Sequence, residues 1–486
     1  MTANPSAVWV GPARVRPSRL AAEFYRQEYT DLEDQLDRSG HRLVVLGKLG
    51  RLFTGPFGSK LPASLYDTPN GVPLLRVQNI GDIFLNETDI ARIPLEVHEN
   101  IHRSKLKPGD LALAKAGRLG ALSKIPAHIQ ECNITQHIVG VKVRADKVRG
   151  SYLAAFFLSR FGSFQLKRQG IGTVIKYLGI EETRAAKVAV PDCRIQDYIG
   201  AKVELAELCR ARSGSLRAEA IGHFDALLRT SKFGPGADLT NVVDARALTG
   251  RLTGEFYLPR YFALEAHLAG LGVPVQPLRS LLRSDITRSS TPERDEAAPI
   301  PCILTSDIDP QEIRWRNPSL RITKSVHDRH GGRLAARDVV YTSVGPPVGE
   351  AAVVLPQFLP MAVGGDVSIL RHGDGLHPGF LALYLNSVFG QMQNDRYSRG
   401  IRQRRVYPED IGAFLIPVFG AKDQAYVGER IVRHQVLNEL AVDLVNEAKA
   451  DVEALIEGTL DVQAILSGKV KAPTADDIPE LAEDGA

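Results

Sequence analysis

The feature that most constrains this chain is that it resembles itself. RLAAEFY from Arg19 to Tyr25 returns as RLTGEFY from Arg251 to Tyr257, and PLLRVQNI from Pro73 to Ile80 has a weaker echo in PCILTSDI from Pro301 to Ile308. KLKPGDLAL around Asp110 matches GRLAARDVV around Asp338 at a shift of 228 residues. The same shift lays Gly150–Gly162 on Pro378–Gly390, with five of thirteen positions identical: Leu153, Ala154, Ser159, Phe161 and Gly162 against Leu381, Ala382, Ser387, Phe389 and Gly390. QDYIG from Gln196 continues the register as QAYVG from Gln424. A period this long with two copies is a tandem duplication of a domain-sized unit, which excludes a solenoid.

Each copy reads in the same order. Short apolar runs punctuated by Gly, Pro and Asn (GVPLLRVQNI, GDLALAKAG, HIVGVKVR) predict strands and turns. SYLAAFFLSRFGSFQLKRQ and GFLALYLNSVFGQMQNDRY predict a helix in each copy, and KVAVP and AFLIP a closing strand. A proline-free run of helical periodicity then follows, from about Arg194 to Leu228 and from about Lys422 to Ile456; each would span roughly 50 Å as a helix.

In the second run Leu437, Leu440, Leu444, Ala448, Val452 and Leu455 step by three or four, which draws one apolar stripe. In the first, Ile195, Ile199, Val203, Leu208, Leu216, Phe224 and Leu227 are less regular, and Ser213-Gly214-Ser215 predicts loosened packing or a kink. Two such stripes are expected to bury each other as an antiparallel pair with a domain at each end; two ordinary domain-closing helices are the alternative.

Composition narrows the class. The chain has 486 residues, 44% hydrophobic and 24% charged, an ordinary globular mixture with enough apolar mass for several cores. No run approaches the length of a membrane helix, and MTANPSAVWVGPARVRP lacks the apolar centre of a signal peptide, so a cytoplasmic location is expected. Cys132, Cys193, Cys209 and Cys302 form no CxxC pair and are expected to be small buried hydrophobes. The net charge of +4 is uneven: residues 460–486 carry six acids against Lys469 and Lys471, so the rest carries +8, compatible with local basic loops that meet phosphate.

Catalytic motifs fail on spacing or context. HENIH, His98 to His102, fits the zinc-peptidase spacing, but Pro94 and Pro108 leave no room for a long helix, so a solvated turn and no metal site are expected. GKLGRLFTGPFGSK contains no phosphate-binding G-x4-G-K-[ST] register, and neither a dinucleotide fingerprint nor the base-clamping motif of an amino-methyltransferase occurs. The chain therefore reads as a binding protein.

Polar loops recur at matched places. GIGTVIKY, with Thr173, Lys176 and Tyr177, follows Lys167, Arg168 and Gln169; SRGIRQRRVY carries Arg399, Arg402, Gln403, Arg404 and Arg405. Arg and Gln can read guanine and adenine edges bidentately, while Lys, Thr and glycine amides suit phosphate. Lys115, Arg118, Gln136 and His137 are further candidates. The alternative for each is a solvated charged loop.

FTGPFGSK, GVPLLRVQNI, LKPGDLALAKAGRLG, NITQHIVGVKV, GIGTVIKYL and VAVPDCRIQDYI, in that order, resemble the target recognition domain and trailing helix of type I restriction-modification specificity subunits, over nearly the whole chain. The resemblance implies an α+β chain with two repeated α/β target recognition domains separated by an antiparallel pair of long helices. Their spans would be 1–192 and 233–420 for the domains, 193–232 and 421–459 for the helices, and 460–486 for an acidic C-terminal tail. It further implies no catalysis or cofactor on this chain, and double-stranded DNA read as a bipartite target. Two methyltransferase subunits that bind S-adenosylmethionine would be partners, with a motor-nuclease subunit that uses ATP. The acidic-Gln pair that opens the helix in this family is Asp423-Gln424 in the second copy but Ile195-Gln196 in the first. A DNA-recognition adaptor of a related phage-defence assembly and a hydrolase built on HENIH are the alternatives.

Overall fold

The computed structural model describes residues 9–17, 19–57, 61–170, 176–248 and 250–482. It divides into two units: residues 1–210 with 439–486, and residues 211–438.

The first unit holds two main sheets. Gly50–Thr54, Ile138–Val143, Leu111–Ala114, Leu122–Lys124 and Asp82–Ile83 lie side by side in that order, and Ala91–Ile93, Val72–Leu75, Cys132–Ile134 and Lys105–Leu106 form the other. The strands are short; Leu111–Ala114 and residues 138–141 are buried throughout, as their apolar runs require, whereas Arg51 and Arg92 on outer strands are exposed.

The second unit repeats the core of this plan. Leu111 faces Val141 antiparallel in the first unit, and Val339 faces Leu370 in the second. Leu74 and Leu75 run parallel to Asn133 and Ile134, as Cys302 and Ile303 do to Ala362 and Val363.

The duplication persists at the level of single hydrogen bonds. Asn79 accepts from the Arg76 amide and Asp307 from the Leu304 amide, both at 2.9 Å; Asp110 accepts from the Lys107 amide and Asp338 from the Ala335 amide, again both at 2.9 Å. Gln165 closes a two-way bridge to the Lys187 backbone, and Gln393 does the same to Leu415. Gln196 accepts from the Arg149 amide and donates to the Pro191 carbonyl, while Gln424 accepts from the His377 amide and donates to Phe419. A buried carboxamide can satisfy a carbonyl and an N–H together, which explains why glutamine stands at these points.

RLAAEFY and RLTGEFY have the same explanation. The Tyr25 and Tyr257 hydroxyls donate to the carbonyls of Arg19 and Arg251, each at 2.7 Å, and the arginine side chains pair with Glu182 and Asp410.

The helix expected after each sheet is two helices in each copy: Gly150–Leu158 and Arg160–Arg168, then Pro378–Asn386 and Val388–Tyr397. Ser159 and Ser387 sit at the breaks with extended backbone, their hydroxyls bonded to the carbonyls of Phe156 and Tyr384. Gly162 and Gly390 permit the sharp angle, because a Cβ at either would lie 2.1 or 2.4 Å from a backbone oxygen of the preceding helix.

The two long helices are Cys193–Leu228 and Ala421–Glu457. In the second unit Ser213 meets His434 and Asn438, Glu219 meets Arg430, and His223 meets Asp423, so the helices there run antiparallel. In the first unit Lys202 reaches Asp451 at 2.7 Å and Glu447 at 3.2 Å.

The stripe on the second helix is largely buried as expected; the first differs in two places. Leu208 is 53% exposed, and Leu205, Ala206 and Cys209 face inward instead. The helix continues unbroken through Ser213-Gly214-Ser215, and the packing there is not loosened: Ser213, 1% exposed, holds the seam with bonds of 2.7 Å to both His434 and Asn438.

Two further expectations are corrected. Cys132, Cys209 and Cys302 are buried, and burial pushes their thiols up to about 12, 11 and 12, but Cys193 is exposed at the start of its helix. HENIH is not a solvated turn. His98 is 1% exposed on the six-residue helix Leu95–Asn100, with Glu131 at 3.0 Å and the Asn133 side-chain oxygen accepting from its Nδ1 at 2.6 Å. His102 lies past that helix.

His98, Glu99 and Glu131 place ligand-type atoms within 4.8 Å of one another, but Lys105 lies 2.6 Å from Glu99 and Lys107 3.1 Å from Glu131. The hydrogen bonds from His98 and Lys107 hold the Glu131 carboxyl down at about 2. The group is an ion-pair network that ties helix to strand.

Candidate nucleic-acid interface

Most of the described candidate residues of the first unit gather on one surface because Tyr177 and Leu178 lie against a strand end. Tyr177 bridges Ala116, and the Leu178 amide donates to the Lys115 carbonyl at 2.8 Å. Lys115 in turn donates its amide to the His137 carbonyl at 2.8 Å, and the His137 and Tyr177 rings lie 6.0 Å apart. Lys115, Gln136, His137, Lys176 and Tyr177 are thus neighbours.

Gly120 extends the patch: a Cβ there would stand 3.4 Å from the Lys167 side chain, so Lys167 lies across the turn that carries Arg118. Arg118 is exposed, 3.6 Å from Asp82. Lys176 lies 3.2 Å from Glu23, also exposed. Gln169 is half-buried beside the loop, and Thr173 lies outside the described residues.

Arg168 does not belong to this surface. Its side chain packs 3.9 Å from the Phe24 ring centroid, donates to the Phe24 carbonyl at 2.7 Å and pairs with Glu33 at 2.7 Å. At 8% exposure it is an internal strut, which corrects its place among the candidate DNA contacts. Arg396, its equivalent, stacks on Phe256 at 4.5 Å, donates to the Phe256 carbonyl and pairs with Glu265 at 2.5 Å. Aromatic and glutamate thus come from the stretches opened by the repeated R-L-x-x-E-F-Y motif.

In the second unit the matched loop is pinned at the equivalent place. Val344 and Gly345 pair with Arg405 and Arg404, and the Val406 amide donates to the Ser343 carbonyl at 2.9 Å. Arg399 and Arg405 exchange backbone bonds around Gly400, whose φ of +95° suits glycine.

The side chains here are exposed but unequally engaged. Arg399 pairs with Asp410 at 2.9 Å over the Tyr407 ring, Arg404 pairs with Asp395 at 2.9 Å, and Arg405 donates to Gln403 at 3.0 Å. Arg402 is exposed and bonds to no other described residue.

Residues that sequence reasoning passed over line a hollow of about 260 Å³ in the first unit: Tyr66, Arg76 and Gln78, together with Gln136 and His137. The signal was present in RVQN, where polar side chains interrupt an apolar run at a strand end, yet nothing in the sequence shows that Gln136 closes the same hollow. Among the described residues no helix is long and apolar enough to cross a membrane.

No family model and no curated protein matches the sequence. Solved structures do match. The S subunit of a type I restriction-modification system from M. genitalium is 11% identical, with 87% of this chain and 96% of that one covered at a TM-score of 0.45. The HsdS subunit from Thermoanaerobacter tengcongensis is 17% identical, with 87% and 97% covered at a TM-score of 0.28. A chain from a structural account of assembly and conformational transition of the type I R-M system is 16% identical, with 87% and 98% covered at 0.28. These structural neighbours are type I restriction-modification S subunits, alike over 87% of this chain.

Proposed function

We propose that this chain is the non-catalytic DNA-specificity subunit of a type I restriction-modification complex, and that each unit reads one part of a bipartite target. The observation that carries the reading is the pair of polar segments pinned at equivalent strand positions, Ala116 with Tyr177 and Val344 with Arg405, on frameworks that share their core strand pairing and several capping bonds. Related scaffolds with different polar side chains suit a protein that must recognise two different short sequences. Arg402, Gln403, Lys115, Lys167, Gln136 and Lys176 offer the donors that phosphates and base edges require.

In this reading two methyltransferase subunits dock on the chain and carry S-adenosylmethionine, a motor-nuclease subunit uses ATP, and the assembly works in the cytoplasm. Deleting the gene and mapping methylated adenines in the host genome tests it. Methylation at one split motif is expected to disappear; an unchanged methylation map overturns the proposal.

A further inference from the structure

A chain with two copies of one domain contains its own comparison. Side chains that make the same bond in both copies build the domain, and surface positions that differ are available for separate work. Four such differences lie together at the hollow bordered by Arg76, Gln78, Gln136 and His137.

Backbone bonds fix the equivalences. The amides of Arg76 and Leu304 cap Asn79 and Asp307 alike, so Arg76 corresponds to Leu304 and Gln78 to Ser306. The Ile138 amide donates to Thr135 as the Val367 amide does to Gly364, and Lys115 donates to His137 as Ser343 does to Asp366, so Gln136 corresponds to Gly365 and His137 to Asp366. A guanidinium, two carboxamides and an imidazole are replaced by an alkyl group, a hydroxyl, a bare backbone and a carboxylate, while the bonds beneath them are unchanged.

The chemistry of the first-unit set is ordered by Asp89. Its carboxylate oxygen accepts from Gln78 Nε2 at 2.8 Å and from Arg76 Nη2 at 2.8 Å. An ionised carboxylate only accepts, so the Gln78 amide nitrogen must face it, and the carbonyl oxygen and second N–H of Gln78 bond to no other described residue. A carboxamide held this way presents an acceptor beside a donor, the complement of the N6–H and N7 edge of adenine.

We propose that this hollow reads base edges of duplex DNA for the first unit: Gln78 and Gln136 contact bases, an adenine-containing pair at Gln78, and Asp89 is a positioning residue that sets which edge Gln78 offers. The inference rests on the DNA-reading function proposed above and adds where one half of the specificity resides. It also accounts for two sequences being read by one scaffold, since the second unit has no equivalent amide.

The test uses the full-length chain purified from its host with whatever subunits accompany it, random-sequence duplex DNA as the probe, and sequencing of the bound fraction. Wild-type protein should enrich a two-part motif. Gln78→Leu and Gln136→Leu, which keep bulk but lose the amide, should each lower discrimination about 10- to 100-fold at one or two base pairs of one part, leaving the other part intact. Gln78→Glu, which keeps shape and loses the donor, should do the same at the Gln78 position. Asp89→Asn, which can donate as well as accept, frees the Gln78 amide to turn and should broaden the preference there without loss at other positions.

A sharp wild-type motif reproduced unchanged by the Gln78 and Gln136 variants overturns this inference and leaves the DNA-reading function standing. Uniform weakening on every sequence also overturns it, by assigning these residues to the phosphate backbone. Wild-type protein that enriches no sequence overturns both.

Discussion

Lys167 and Arg168 are adjacent in sequence and separated in role. Arg168 is locked between Phe24 and Glu33, so Arg168→Ala removes a buried cation–ring contact and the bonds to the Phe24 carbonyl and Glu33, and should cost about 1 to 2 kcal/mol of stability, Glu33 keeping its pairing with Arg16. Lys167→Ala should change stability by no more than about 0.5 kcal/mol yet flatten the salt dependence of DNA binding by about one unit. Chemical denaturation and salt titration of the two variants check this; the opposite assignment of effects would contradict it. The sequence shows two cations and not which one turns inward, because that depends on Phe24 and Glu33, more than 130 positions away.

Glu429 gives a prediction in pH. A hydrogen bond from His377, aided by the charges of His377 and Arg337 and opposed by burial, lowers its carboxyl from the ordinary 4.5 to about 2. A carboxyl depressed on folding stabilises the protein above its unfolded value, and that contribution is lost as pH falls from 4.5 toward 2. Denaturation across that range should show wild-type protein losing stability more steeply than Glu429→Gln; parallel slopes would contradict the pairing.

At the scale of elements, the long helices were legible because apolar spacing and bounding prolines are local signals. The polar residues in their seam were not, since a serine that loosens a helix and one that bonds to a partner helix look alike until the partner is placed. Ser213 is the second kind, and Lys202 with Asp451 is its counterpart in the first unit.

Lys202→Met should cost about 2 kcal/mol by leaving the half-buried Asp451 unpaired, while Lys202→Met with Asp451→Leu should recover most of the loss. A double-mutant cycle measures this, and additive losses would show that the two groups act independently. The breaks at Ser159 and Ser387 were missed for a related reason: the apolar period runs through them, and only the contact at Gly162 and Gly390 shows that the helix must turn.

At the scale of the whole molecule, the duplication was the strongest signal in the sequence and the structure extends it to individual bonds. What the sequence hid is that the first unit is completed by the chain's other end. Residues 439–486 belong to it, with Arg160 paired to Glu453 and Glu457, His41 against the Leu455 carbonyl and Arg194 donating to the Leu466 carbonyl. A chain truncated after Arg229 loses this segment and should self-associate to replace the missing helix, as sedimentation would detect; a stable, well-folded monomer would contradict the need for it. If the proposed methyltransferase subunits join it, such a dimer should modify an interrupted palindrome of the first half-site.

The central claim is that two domains on one chain read two short sequences across base pairs that neither reads. Binding of the full-length chain with its accompanying subunits to duplexes in which only the gap length changes, one base pair at a time, tests it most directly. The account predicts tight binding at one gap length, a steep loss on either side, and indifference to the sequence within the gap. Affinity that does not vary with gap length, or full affinity for a continuous site, would contradict it.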